Sequence, residues 1–205
     1  MTRVVVETVV KLGGGVLGHA EYFDRVLAAI GEAARERALL VVPGGGPFAD
    51  AVRDVDRRFH ISDDAAHWMA VLAMDQYAHL VASRVSRGVV VATANDIARA
   101  FDSSRLPVLA PSQWLRDADP LPHSWNVTSD SIAAWVAGEV EARQLILVKP
   151  PRLRPSDRPG FSESSPRAPD RELVDPYFAR ALPTHVTHVV VAADEIDHLR
   201  SALRA

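Results

Sequence analysis

The chain has 205 residues, 48% of them hydrophobic, a net charge of −3 and no cysteine. That length and apolar content suit one globular domain spanning residues 1–205, and the missing thiols exclude disulfides, thiolate metal sites and cysteine nucleophiles. No apolar run approaches the roughly 18 residues of a membrane span, no leader pattern opens the chain and no Lys/Arg run makes a nucleic-acid footprint, so a cytoplasmic protein with neither membrane nor nucleic-acid partners is expected.

Val4 to Val10 is a β-branched run that enters Lys11-Leu12-Gly13-Gly14-Gly15, which reads as a buried strand feeding a glycine turn. Phe23, Val26, Leu27, Ile30 and Ala34 then recur at helical spacing, predicting a helix over 22–37. Leu39 to Val42 is a second strand. It ends at Pro43-Gly44-Gly45-Gly46, and Phe48, Val52, Val55 and Phe59 mark one face of the helix that follows. Strand, helix, strand of this kind implies a right-handed crossover and a parallel sheet with helices on its faces. Ser62 caps the next and longest helix, with Asp63 and Asp64 in its first turn and Met69, Leu72, Ala73, Leu80 and Val81 as its apolar stripe. Strands are expected at 89–93 and 106–110 around a short helix at 95–101, and 111–122 reads as loop. Thr128 or Ser129 caps a helix to about Ala142, and Gln144 to Val148 is a further strand. Residues from about 150 to 170 are crowded with Pro, Ser, Arg and Asp and predict a mobile loop; a last strand at 185–192 and a helix at 194–203 close the chain.

Both glycine triplets follow buried strands. In an open parallel sheet such loops converge at the strands' carboxyl ends, where ligands bind, and glycine lets backbone N–H groups turn toward an anion. Either triplet by itself is also an ordinary tight turn. Neither fits G-x-G-x-x-G or a Walker loop, which disfavours the usual dinucleotide and P-loop folds. Lysine occurs only at positions 11 and 149, every other basic residue being arginine. Lys11 directly precedes its glycines, within reach of any phosphate held there, where it would supply the charge compensation that phosphoryl transfer needs. Further on, His123-Ser124-Trp125 precedes Thr128-Ser129-Asp130 at a helix start. Asp130 there either serves the helix dipole or pairs with Lys11.

These motifs in this order, Val9-Val10-Lys11-Leu12-Gly13-Gly14, then Val41-Val42-Pro43-Gly44-Gly45-Gly46-Pro47-Phe48-Ala49, then Thr128-Ser129-Asp130, resemble the amino acid kinase superfamily of acetylglutamate, aspartate and uridylate kinases. The resemblance implies a three-layer α/β/α sandwich with a mainly parallel central sheet. Within the superfamily the likeness is greatest to the branch that phosphorylates an aminomethylfuran-methyl phosphate in methanofuran biosynthesis. Pro43 to Phe48, Arg53, Asp56, Ala66-His67, Asp75 and His123-Ser124-Trp125 carry it. By that resemblance Lys11 stabilises the transferring phosphoryl group and Asp130 orients it. Gly13 and Gly14 then bind ATP phosphates, joined in this chain by Gly15 and Lys149, and Gly44, Gly45, Gly46, Arg53, His67, His123 and Ser129 bind the acceptor. ATP with Mg2+ and a small-molecule acceptor are implied, as is a homo-oligomer; no protein-built metal site is expected.

Two departures accompany the matches. The family's Thr-Asp-x-Asp-Gly nucleotide segment is replaced by Lys149-Pro150-Pro151-Arg152-Leu153, and its second phosphate-binding lysine has no counterpart near Pro183-Thr184. Lys149, Arg152, Arg154 and Arg180 are the candidates for that charge. Besides the furan kinase, two readings stay open: a non-catalytic relative that binds a nucleotide or phosphate, and a kinase for another small acceptor.

Overall fold

Runs of apolar residues with no polar alternation belong to strands covered on both faces, and they form the centre of this sheet. The computed structural model describes residues 6–151 and 174–205. Its six strands are β1 (Thr8–Leu12), β2 (Leu39–Pro43), β3 (Gly88–Val91), β4 (Leu106–Leu109), β5 (Gln144–Lys149) and β6 (Thr187–Ala192). They lie in the order β3-β4-β2-β1-β5-β6, and every pairing is parallel. β1 is central: Lys11 is in register with Val42 of β2 and Leu147 of β5. From β1 the chain moves one way to β2, and from β5 it moves the other way to β6. The β1/β5 crevice is therefore the topological switch point, the place where open α/β sheets accept ligands.

Side chains alternate across these strands. Val10, Leu12, Leu39, Val41, Ile146 and Val148 enter one core layer, beneath α1 (Ala20–Ala33) and α8 (Ile196–Arg204). Val9, Leu40, Val42, Leu145 and Leu147 enter the other, beneath α4 (Ala94–Asp102) and α6 (Ser129–Glu139). Lys11 and Lys149 share the parity of Val9 and Leu147, so both rise on the face covered by α6. This is the three-layer α/β/α arrangement expected from the sequence.

Helices α2 (Gly46–Phe59) and α3 (Asp63–Arg84) form a hairpin over the carboxyl ends of the strands. Ser62 caps α3, its hydroxyl accepting from the Ala65 N–H, with Asp63 and Asp64 in the first turn. The apolar face of this hairpin departs from the sequence reading. Phe59, Met69 and Leu72 are 65%, 36% and 43% exposed. Ala73 and Val81 are buried as the stripe requires, and Ala66, Val71, Met74, Tyr77 and Ala78 complete the buried part of α3 in place of positions 69 and 72.

The stretch expected as loop over 111–122 contains α5 (Ser112–Ala118). Asp75 accepts the Ser112 N–H at 3.1 Å at its start and Leu115 is buried, tertiary support that local composition does not announce. A short helix, α7 (Phe178–Ala181), was likewise not foreseen. The expected loop over 150–170 falls almost wholly outside the described residues. Among the described residues no helix is long and apolar enough to cross a membrane.

Candidate functional site

The two glycine loops are in backbone contact. A Cβ on Gly14 would sit 2.2 Å from the Gly46 nitrogen, and one on Gly44 would sit 3.0 Å from both the Gly14 nitrogen and Ser129 Oγ. Only glycine allows this approach, and Gly46 also adopts a positive φ of 54°. Part of the glycine content is therefore spent on bringing loop against loop. Gly14 to Gly18 form a single 3₁₀ turn whose first internal bond runs from the Val16 N–H to the Gly13 carbonyl. The Gly14 and Gly15 N–H groups precede that bond and lie at the turn's electropositive end.

Two amides expected at a ligand are engaged elsewhere. The Gly13 N–H donates to Val148 at 2.8 Å and the Gly44 N–H donates to Leu12 at 2.8 Å. Both bonds continue the sheet ladder past the last strand residues, so these glycines shape the crevice and do not present donors to it.

Beside the loops lies a group of three charges. Asp130, in the first turn of α6, places Oδ1 2.7 Å from Lys11 Nζ and Oδ2 2.6 Å from Lys149 Nζ. Asp130 thus holds Lys149 through Oδ2 and Lys11 through Oδ1. Side-chain exposures of 5% for Lys11, 6% for Asp130 and 17% for Lys149 put the group in a largely dry environment. Burial pushes the Asp130 carboxyl upward, but Lys11 and Lys149 outweigh it and hold the group below the usual carboxylate range. Burial, then repulsion from Lys11, holds Lys149 below an ordinary lysine despite the attraction of Asp130. Among the described residues two ammonium groups bond one carboxylate directly, with Asp175 adding a weaker attraction on Lys149, so neither lysine has a counter-ion of its own and an anion entering the crevice would find both.

Of the other candidates for the second charge, Arg152 and Arg154 lie outside the described residues. Arg180 is on α7, its guanidinium 6.0 Å from the Tyr177 ring, and takes no part in the Asp130 group.

Asp175 was not picked out from the sequence, yet it organises the start of α6. It accepts the Thr128 N–H at 2.9 Å, the Thr128 hydroxyl at 2.8 Å, the Ser131 N–H at 3.0 Å and the Ser131 hydroxyl. Thr128 is the residue that caps the helix, its Oγ1 accepting from the Asp130 N–H. The turn that carries Asp130 is thus fixed by a carboxylate at the positive end of the helix, where one is favoured. No sequence signal links position 175 to position 128 across the intervening segment.

A cleft opens from the glycine loops toward α2 and α3, lined by Gly45, Arg53, Asp63, His67, Trp125 and Ser129 among others. Three of these, with Gly45, were expected at an acceptor: Arg53, His67 and Ser129. Trp125 forms a wall, its indole N–H donating to Asp56 at 2.8 Å and its ring facing the Arg53 guanidinium at 5.1 Å. His123, expected to touch the acceptor, stands behind His67. Its ring stacks on that of His67 with centroids 4.0 Å apart. Its Nδ1 lies 2.7 Å from Asp64 and its Nε2 lies 3.0 Å from Asp119, so both nitrogens are occupied and its part is support. Burial and the neighbouring His123 pull His67 down to about 4, against smaller upward effects of Asp119 and Asp64.

The described residues contain no group of three or more His, Asp or Glu able to hold a metal ion, and both Asp130 oxygens already face lysines.

Residues 7–150 match the Amino acid kinase family. The chain is 31% identical over 143 residues to the [5-(aminomethyl)furan-3-yl]methyl phosphate kinase of Methanocaldococcus jannaschii, a match covering 68% of this chain and 63% of that relative. Less than two thirds of the relative's length is thus spanned. Among solved structures, uridylate kinase from Archaeoglobus fulgidus superposes with a TM-score of 0.69 at 17% identity, covering 98% of this chain and 96% of that one. UMP kinase from Ureaplasma parvum gives 0.56 at 17% identity over 71% of this chain and 69% of that one. At such identity these two likenesses establish the fold alone.

Proposed function

The chain belongs to the amino acid kinase family, and from that premise we propose that it is an ATP-dependent kinase whose small-molecule acceptor already carries a phosphate, the aminomethylfuran-methyl phosphate of its archaeal relative being the leading candidate. The observation that carries this reading is the Lys11–Asp130–Lys149 group, set at the β1/β5 switch point against the Gly14–Gly15 turn. A γ-phosphoryl group in that crevice meets two ammonium groups and two backbone N–H groups. These compensate the charge that gathers as an acceptor phosphate oxygen bonds to phosphorus and the bridging oxygen departs with ADP. No general base is required, because a phosphate oxygen is ionised at neutral pH. The residues therefore serve to hold two polyanions together in line and to screen their repulsion.

Lys149 takes the part of the family's missing second lysine, acting from the end of β5. Ser129, Gly45 and Arg53 are placed to receive the acceptor phosphate, and Trp125 offers a flat surface for a ring. Magnesium supplies further charge neutralisation when it arrives with ATP.

The test is phosphorus NMR of purified protein incubated with Mg-ATP and the furan phosphate, beside glutamate and uridylate. Formation of the furan diphosphate, lost in Lys11→Ala, is the expected result. Faster turnover of glutamate or uridylate would reassign the acceptor. Nucleotide binding with no turnover of any of the three would favour a ligand-binding relative without catalysis.

A further inference from the structure

The cleft carries opposite charge at its two ends. Near the glycine loops two lysines outnumber Asp130. At the α3 end three carboxylates face one arginine: His123 lies between Asp64 and Asp119, Asp63 stands on the cleft rim, and the Arg116 guanidinium lies 4.7 Å from the Trp68 ring. A carboxylate only accepts hydrogen bonds. Each ring nitrogen of His123 thus faces a carboxylate oxygen, which fixes the ring and leaves neither nitrogen for a ligand. Arg53, the arginine on the cleft wall, bonds Asp50 at 2.8 Å and lies over Trp125, on the phosphate side of the cleft in the kinase reading.

His67 is the part of this assembly that reaches the cleft. Stacked face to face on His123 at 4.0 Å and edge-on to Trp68 at 5.0 Å, its ring is held in place. A neutral imidazole keeps one nitrogen with a lone pair, and burial first, then the neighbouring His123, keeps His67 neutral at physiological pH.

We propose that His67 is a specificity-determining residue that accepts a hydrogen bond from a primary ammonium group on the acceptor, with Asp63, Asp64 and Asp119 supplying the negative potential that draws the cation in. His123 is the positioning residue that fixes the ring. This rests on the kinase reading for the place of the acceptor and adds how its far end is recognised. The acceptor then lies as a zwitterion along the cleft, phosphate toward Lys11 and ammonium toward His67. An analogue with a hydroxyl in place of the amine keeps the phosphate contacts and loses the charge match.

The experiment compares the aminomethyl acceptor phosphate with its hydroxymethyl analogue on wild type, His67→Leu and His67→Gln. Wild type is expected to prefer the amine in kcat/KM by at least about tenfold, the fold-change of one hydrogen bond to a charged group. His67→Leu loses that preference with an unchanged KM for ATP, and His67→Gln, which retains an acceptor oxygen, recovers part of it. Equal use of the two acceptors by wild type, or an undiminished preference in His67→Leu, overturns the assignment while leaving the kinase reading intact.

A second readout does not need turnover. The His67 ring resonance of the wild-type protein is followed by NMR during titration with 2-furylmethylamine and, separately, 2-furylmethanol. Movement with the amine alone supports ammonium recognition even if neither phosphate is turned over, in which case only the kinase reading fails. Equal movement with both, or none with either, overturns the proposal.

Discussion

Replacing Lys149 and Asp130 separates a charge held for function from one held for folding. Lys149→Met leaves Asp130 with Lys11 at 2.7 Å, one anion facing one cation, and fills the vacated space with an unbranched apolar chain. Burial and then Lys11 already hold the Lys149 ammonium below its ordinary value, so its removal relieves desolvation and repulsion about as much as it forfeits attraction to Asp130. The expected change in stability is within about 1 kcal/mol, as found when buried ions give way to apolar groups. Asp130→Asn is a different case, since it leaves two nearly buried ammonium groups with no counter-ion between them. Breaking such a group costs about 3–5 kcal/mol, a loss in Tm of roughly 6 °C or more for a chain of this size. Lys149→Met removes charge compensation at the transferring phosphoryl group and Asp130→Asn removes the carboxylate that orients both lysines, so kcat falls about 10² to 10³-fold in each, the effect of removing one preorganised electrostatic group. Urea denaturation gives the stabilities and ADP release gives the rates. Equal destabilisation by the two substitutions would refute the reasoning, because Lys149 would then be a structural strut. Full activity in Lys149→Met would remove it from the phosphates.

Gly14→Ala drives a methyl group to 2.2 Å from the Gly46 nitrogen, backbone against backbone with no side chain to yield; a loss of about 3 kcal/mol or more, read from the urea midpoint, is expected. Asp175→Ala strands the Thr128 and Ser131 donors, with Ser131 fully buried. About 2–4 kcal/mol of stability should go with the lost bonds, and kcat should fall with it as the turn bearing Asp130 loosens, whereas an unchanged kcat would show that α6 holds Asp130 unaided. His67, drawn down to about 4 in the fold from an ordinary 6.5, takes up a proton on unfolding anywhere between those values. Stability attributable to it is therefore full above pH 6.5 and declines as pH falls toward 4. Urea midpoints at pH 7 and pH 5 should diverge less in His67→Gln than in wild type, and an identical divergence would show that other groups carry the acid sensitivity.

The central strands were legible because each is buried on both faces and leaves an unbroken apolar run, as at Leu39 to Val42. Lys11 and Asp130 were legible as a pair from motif order. The place of Lys149 was readable in principle from parity, since Leu145, Leu147 and Lys149 share one face of β5 as Val9 and Lys11 share one face of β1; what was missing was the knowledge that β1 and β5 are neighbours in this register. Helix α5 and the role of Asp175 were beyond local reading. The first depends on Asp75, 37 residues earlier, and the second on a carboxylate 44 residues after Ser131. His123 misled because a histidine beside an aromatic residue in a site motif suggests contact with ligand, and only the positions of Asp64 and Asp119 reveal a supporting part.

Setting two lysines at the ends of adjacent central strands has a consequence for how the protein meets a nucleotide. The strand ladders fix both ammonium groups before any ligand arrives, so little reorganisation is left for the reaction itself, but the free site carries their mutual repulsion. Burial first, and then that repulsion, depress the proton affinity of Lys149. A triphosphate entering the crevice supplies the missing negative charge and raises that affinity, so binding at alkaline pH draws a proton from solvent, and affinity declines as pH climbs through the free-site value. Calorimetric titration with a non-hydrolysable ATP analogue, run near pH 9 in two buffers of different ionisation enthalpy, measures the proton directly. Uptake in wild type that disappears in Lys149→Met is the expected result. Equal heats in the two buffers for wild type, or uptake that persists in the variant, would mean that the phosphates do not lie against Lys149, and the second charge of the site would have to be sought on another residue.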